Sequence, residues 1–287
     1  MKLSVFTVST PEYGIEETVK VLKELGYDGV EWRIGNPPPA EKPEDYTFER
    51  RYWSYNLSTI DVSNVDQTAE EVKRICDKYE MEICSLTTYL LPGDTEAIER
   101  VMKAANTMNC KNIRVNVPNY NEKENYNDVF NRAVEQTKGV EKLAEKYGVK
   151  VNFEIHMGNI IPSASAAYRF ASNFNSNYIG IIFDPGNMVH EGYENYRLGI
   201  ELLGGYLGHV HAKNALWKLE ETTEDGVAVW KPTWAPFKKG YVDFKKLVTV
   251  LKDVGYTGYI SVEDFSNEEQ TYEKLKGNIE FLRKITE

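Results

Sequence analysis

Cysteine, basic charge and long apolar runs are all scarce in this chain. Its three cysteines, Cys76, Cys84 and Cys110, are odd in number and form no CxxC pair, so reduced thiols in a cytoplasm fit better than a disulfide framework. Lysine and arginine number 34 against 44 acidic residues, a formal charge of −10. A nucleic-acid partner needs a basic footprint, and this balance argues against one. No apolar run approaches the roughly 18 residues of a membrane span. The opening MKLSVFTVSTPEYG breaks its short apolar patch with serine and threonine, which reads as a first strand and not as a signal peptide. No glycine-rich phosphate loop follows that strand, which weighs against an open dinucleotide-binding sheet.

What is present is an alternation. Strand-like runs at 2–7, 29–34, 82–88, 112–117, 150–156, 178–184, 208–213 and 259–264 are separated by amphipathic segments such as IEETVKVLKELG and DFKKLVTVLKDVG. Eight strands alternating with eight helices, at roughly 30 residues per unit, predict an α/β fold, a (β/α)₈ TIM barrel. A single barrel over residues 1–287 accounts for the whole length. Two connections are longer than the pattern needs, 35–65 after the second strand and 214–240 after the seventh. Both follow strands and so belong to the C-terminal face, where barrel active sites form. The second carries Trp217, Trp230 and Trp234, aromatic residues suited to a pocket wall, and Trp217 is the one expected at the substrate.

The polar side of the strands carries the chemistry. In VNFEIHMGN, residues 151–159, Val151, Phe153 and Ile155 share one face while Glu154 and His156 share the other. In a barrel the first face meets the helices and the second points inward. The same parity turns Asp184, His209, His211, Lys213, Ser261 and Glu263 inward, together with Arg114, Asn116, Glu31 and Arg33. Four successive strands thus end in Glu154, Asp184, His211 and Glu263. Three carboxylates gathered in one barrel mouth repel and resist ionising, and a divalent cation removes that conflict. Three carboxylates and an imidazole make a hard, mainly oxygen site for one ion, Mn²⁺ first, with Mg²⁺, Co²⁺ or Zn²⁺ as alternatives.

The stretches LKELGYDGVEWR, FEIHMGN, IGIIFDPGN, GHVHAKN and KKGYVDFKKLVTVLKDVGYTGYISVED resemble, nearly end to end, the xylose-isomerase-like barrel superfamily. That group holds sugar phosphate isomerases and epimerases, ketose 3-epimerases, inosose isomerases and dehydratases, and endonuclease IV. The resemblance implies that Glu154, Asp184, His211 and Glu263 bind the metal, with His209 one layer deeper, and that His156 and Lys213 touch the substrate. Three positions depart from the group's pattern. Asn187 stands where many members have histidine, Ile160 where ketose 3-epimerases have a second glutamate, and Asn214 where aspartate is usual. The first and third weaken a multi-metal nuclease, the second a free-ketohexose epimerase.

The resulting expectation is an isomerase or epimerase of a sugar, sugar phosphate or cyclitol that abstracts a proton next to a carbonyl. Glu154 and Glu263 are the expected bases, with His156 as a further catalytic group. Lys213, Asn187, Glu31, Arg33, Asn116 and Trp217 are the expected substrate contacts. A lyase acting on a keto-sugar, inosose or oxidised glycoside is the alternative, with His156 as its acid or base. A metal-binding sugar-binding or partner subunit is the non-enzyme alternative. Small carbohydrates are the expected partners, without nucleic acid or membrane, and a homo-oligomer is left open.

Overall fold

A computed structural model describes residues 1–287. Eight parallel strands, β1 (Lys2–Phe6), β2 (Gly29–Gly35), β3 (Glu82–Thr87), β4 (Asn112–Arg114), β5 (Lys150–Glu154), β6 (Ile179–Phe183), β7 (Leu207–Ala212) and β8 (Tyr259–Val262), carry the fold. Each pairs with the next in chain order, and β1 pairs with both β2 and β8, which closes the sheet into a barrel. A two-residue strand, Ile60–Asp61, extends the rim beside β2.

Helices cover the outside because the strands' outward residues are apolar. Val151 and Phe153 on β5 and Ile179, Ile181 and Phe183 on β6 are completely buried. The Phe153 ring meets Phe170 of helix Ala164–Ala171 edge to face at 5.1 Å, and truncating a side chain packed like this costs roughly 3–5 kcal/mol. Helix Ile15–Leu25 stops at Gly26, whose φ of +87° lets its N–H return to Leu22 and Lys23 carbonyls before the chain enters β2. Only glycine takes that conformation without penalty.

The two long connections have structure of their own. The one after β2 contains a short helix, Arg51–Ser54, and the one after β7 forms an antiparallel hairpin, Ala215–Thr222 with Ala228–Trp234. A further short helix, Pro185–His190, follows β6 directly. No helix is long and apolar enough to cross a membrane.

Candidate metal centre and active site

Four neighbouring strands deliver one potential ligand each. Glu154 is the last residue of β5, His211 lies near the end of β7, and Asp184 and Glu263 directly follow β6 and β8. One ligand atom from each lies within 4.8 Å of all the others, and all four residues are buried. His211 Nδ1 sits 2.9 Å from Glu154 Oε1, 3.4 Å from Glu263 Oε2 and 3.6 Å from Asp184 Oδ2. Asp184 also caps helix Pro185–His190, where its Oδ1 accepts from the Asn187 amide at 2.9 Å. That bond leaves Oδ2 for the cluster.

The imidazole is oriented from below. His211 Nε2 faces Glu31 Oε1 at 3.1 Å, while Glu31 Oε2 meets His209 Nε2 at 2.9 Å and Thr87 donates its hydroxyl to Oε1. Glu31 occupies Nε2, so Nδ1 is the His211 nitrogen turned to the cluster, and a bound cation would take the place of the proton it shares with Glu154. This is the carboxylate–histidine arrangement that orients metal-binding imidazoles.

Two cations balance the carboxylates. Arg114, from β4, is buried and ion-paired with Glu154 Oε2. Lys213 Nζ lies 2.8 Å from Asp184 Oδ2 and 3.8 Å from Glu154 Oε1, and it ion-pairs with Glu263 Oε2. Gly186 makes room for this lysine, since a Cβ there would stand 2.7 Å from the Lys213 side chain. Even so, Asp184 Oδ2 and Glu263 Oε2 are buried without a hydrogen bond, because the ammonium is near them but not aligned for one. Two unsatisfied carboxylate oxygens, a third carboxylate and an imidazole nitrogen turned towards them are a donor set that fits a hard divalent ion.

Electrostatics divides the acids. Burial opposes the charge on Glu154, but Arg114, His211 and Lys213 outweigh it and hold the carboxyl well below its usual range. Glu263 is lowered too, burial again being outweighed, here by Lys213 and His211. For Asp184 burial prevails over Lys213 and raises the pKa. Burial disfavours the His211 cation, yet Glu31 and Glu154 lift its pKa well above the ordinary value.

Above the cluster is a pocket of about 420 Å³, walled by Trp53, Tyr89, Trp234 and Phe265 and edged by Arg114, Asn116, Asn119, His156, Met157 and Asn159. Glu154, Glu263 and Lys213 reach it from beneath. The family model described as xylose isomerase-like TIM barrel matches residues 19–285. The chain belongs to this family.

Similar proteins include the inosose dehydratase of Clostridium perfringens, 29% identical over 129 residues that cover 42% of each chain. The chain therefore spans less than half the length of that relative in the match. Among solved structures, a 3-keto-D-glucoside 4-epimerase from E. coli superposes over 99% of both chains with a TM-score of 0.73 at 19% identity. A protein crystallised with a zinc atom matches over 100% of this chain and 96% of its own, with a TM-score of 0.71 at 18% identity. At these identities the structural likeness concerns the fold.

This xylose isomerase-like barrel brings some of the expected site residues together and separates others. His156 lines the pocket with its Nδ1 2.7 Å from the Met157 carbonyl, and Asn116 and Lys213 line it as well. Glu31 does not reach the pocket. It is fully buried among His209, His211 and Thr87, because it lies within β2 in register with Ser85 and not at the rim. Asn187 is likewise enclosed: its Nδ2 donates to Glu154 Oε1 at 3.2 Å and to the Ile155 carbonyl, and its Oδ1 accepts from Lys213 at 3.0 Å. Arg33 lines a neighbouring cleft instead of the pocket. Trp217 stands two residue pairs further out on the hairpin than Trp234, and its indole donates to the Val189 carbonyl at 2.8 Å. The tryptophan at the pocket is Trp234, at the hairpin's root, where it stacks on His190 at 4.2 Å.

Parity turns Arg114 inward, and in the structure it is the closest charged partner of Glu154. Trp53, Tyr89 and Phe265 escaped sequence reasoning.

Proposed function

We propose that this chain is a metal-dependent carbohydrate isomerase or epimerase that removes a proton from a carbon next to a carbonyl. The reading is carried by the convergence of Glu154, Asp184, His211 and Glu263 beneath a polar pocket with aromatic walls. A divalent ion held by these four residues, Mn²⁺ first and Mg²⁺, Co²⁺ or Zn²⁺ after it, supplies Lewis acidity that makes the neighbouring C–H more acidic.

Glu263 takes the proton. Its buried Oε2 makes no hydrogen bond, whereas Glu154 is ion-paired with Arg114 and accepts from Asn187. Glu154, three strands away on β5 and ion-paired with Arg114, faces the opposite side and relays a proton from solvent to the carbanion there, while Glu263 passes its proton to solvent. Return to the same carbon inverts it, and return to the adjacent carbon isomerises the sugar. The Lys213 ammonium stabilises negative charge developing on a substrate oxygen. Asn116 and His156 orient hydroxyls, and the aromatic walls limit access of water.

The test is proton NMR in heavy water with Mn²⁺-loaded protein and a panel of ketohexoses, their phosphates, inososes and 3-oxo-glycosides. A C–H signal that disappears on one compound, and persists with Glu263→Gln and Glu154→Gln, is the expected result. Exchange that survives both substitutions would remove the glutamates from the base role.

A second reading, a lyase, is favoured by the sequence similarity to inosose dehydratase. Abstraction is then followed by loss of a group from the β carbon, with His156 as its acid. Accumulation of a product lacking that group, in the same NMR experiment, separates the two.

A further inference from the structure

We propose that the substrate is a glycoside and not a free monosaccharide, its second ring lying in the cleft that adjoins the reaction pocket across Trp53 and Tyr89. The inference rests on the carbohydrate reading given above.

The two concavities share Trp53 and Tyr89 as walls, and the outer cleft, at about 560 Å³, is at least as roomy as the pocket of about 420 Å³. Trp53 is 53% exposed and Tyr89 36% exposed, so aromatic surface is left uncovered where the spaces meet. Large amphipathic rings of this kind, with a few polar groups beside them, are what a sugar ring packs against. The partition is one side chain thick. The guanidinium of Arg33 lies 5.2 Å from the centre of the Tyr89 ring, and that of Arg114, the partner of Glu154, lies 5.0 Å from it. A linkage crossing Tyr89 therefore joins the reacting centre to the cleft.

Arg33 supplies the polar recognition. It donates to Thr59 Oγ1 and, at 3.2 Å, to Tyr89 Oη, while its Nη2 makes no hydrogen bond. No carboxylate pairs with it, although the chain has ten more acidic than basic residues by its net charge of −10. A guanidinium with unspent N–H donors against an aromatic face suits the hydroxyls of a ring.

The cleft is poorly made for a phosphoryl group. Sites for such groups gather several backbone N–H donors or a helix N-terminus. Here one wall is Pro37, Pro38 and Pro39, which have no N–H to give, and Arg33 is the sole cation in the lining. The same prolines have fixed φ angles, so the wall is preformed and little order is lost when a neutral ring enters.

The experiment is calorimetric titration of the Mn²⁺-loaded protein with D-glucose, cellobiose, maltose, lactose and glucose 6-phosphate, a readout that needs no turnover. It is run on the wild type, on Arg33→Ala, and on Ser54→Trp, which puts a large ring into the cleft lining. At least one disaccharide is expected to bind about tenfold or more tighter than glucose. Both substitutions are expected to erase most of that gain while leaving glucose binding within about twofold. Disaccharides no tighter than glucose would overturn the proposal and leave the carbohydrate reading standing. A gain confined to glucose 6-phosphate and dependent on Arg33 would also overturn it, by making the cleft an anion site. If no saccharide binds while Mn²⁺ does, the glycoside proposal fails, and the carbohydrate reading is decided separately by the proton-exchange experiment.

Discussion

Replacing Glu31 by glutamine perturbs the proposed metal site without touching a ligand. Glu31 is fully buried, with its two oxygens 3.1 Å from His211 Nε2 and 2.9 Å from His209 Nε2. Burial works against its charge, yet the two imidazoles hold its carboxyl well below the usual range, so it is an anion in the folded protein. Glutamine keeps the volume and one acceptor oxygen, which avoids a cavity cost, but it removes the negative charge behind the imidazole. His211 then stays in place with a less electron-rich Nδ1. Partners of this kind are worth about 10–100-fold in metal affinity, or about 1.4–2.8 kcal/mol. The assay is competition for Mn²⁺ against a calibrated chelator at one neutral pH, with circular dichroism to check folding. Asp184→Ala, run beside it, removes a proposed ligand and should weaken Mn²⁺ more than Glu31→Gln does. A folded Glu31→Gln protein that binds Mn²⁺ within about twofold of wild type would refute the role given to Glu31. If Asp184→Ala also kept full affinity, the four-residue site would not be where the ion sits.

Arg114→Met leaves Glu154 buried without its closest cation, a loss of about 3–5 kcal/mol in urea unfolding without metal. Added Mn²⁺ should recover part of it, and an equal deficit with and without the ion would contradict this. Lys274 is buried with its Nζ 2.7 Å from the Asp264 carbonyl, and desolvation lowers its pKa to about 8. A lysine depressed on folding binds fewer protons folded than unfolded, so stability is lost as pH falls through 8 and regained towards the unfolded value. Between pH 8 and 9.5 the wild type should gain about 1 kcal/mol per pH unit over Lys274→Met in urea melts; parallel profiles would refute it. Cys76, Cys84 and Cys110 are all buried, and burial pushes the Cys76 and Cys110 thiols up to about 12. An aromatic disulfide reagent should therefore label the native protein slowly and all three thiols quickly in denaturant.

The barrel was legible because its strands bury one apolar face against helices, and alternation is the direct mark of that. It failed in two places for physical reasons. The run 112–117 reads as one strand, but the ladder ends at Arg114, and the Asn116 amide turns to the Leu90 carbonyl at 2.8 Å. A bond to a loop continues the extended backbone without extending the sheet. The hairpin Ala215–Trp234 was read only as a long loop. Beyond its first residues both faces are largely exposed, so no contrast between a buried and a solvated face is written into its sequence.

The site shows what parity gives and what it omits. Parity alone turned Glu154, Asp184, His211 and Glu263 inward, and their positions at or just past the strand ends brought them to one level. Glu31 obeys the same parity but stands four residues before the end of β2, at Gly35. In a closed barrel that distance along the strand is depth, and an acid at that depth cannot reach a substrate at the mouth. It can stay ionised only by finding buried donors, and the imidazoles of His209 and His211 and the Thr87 hydroxyl are the donors within reach. An inward carboxylate well short of its strand's C-terminal end is therefore better read as support for a ligand above it than as a substrate contact. By that rule Glu31 and His209 belong together beneath His211, and a substitution at either should show first in metal affinity and only secondarily in the binding of sugar.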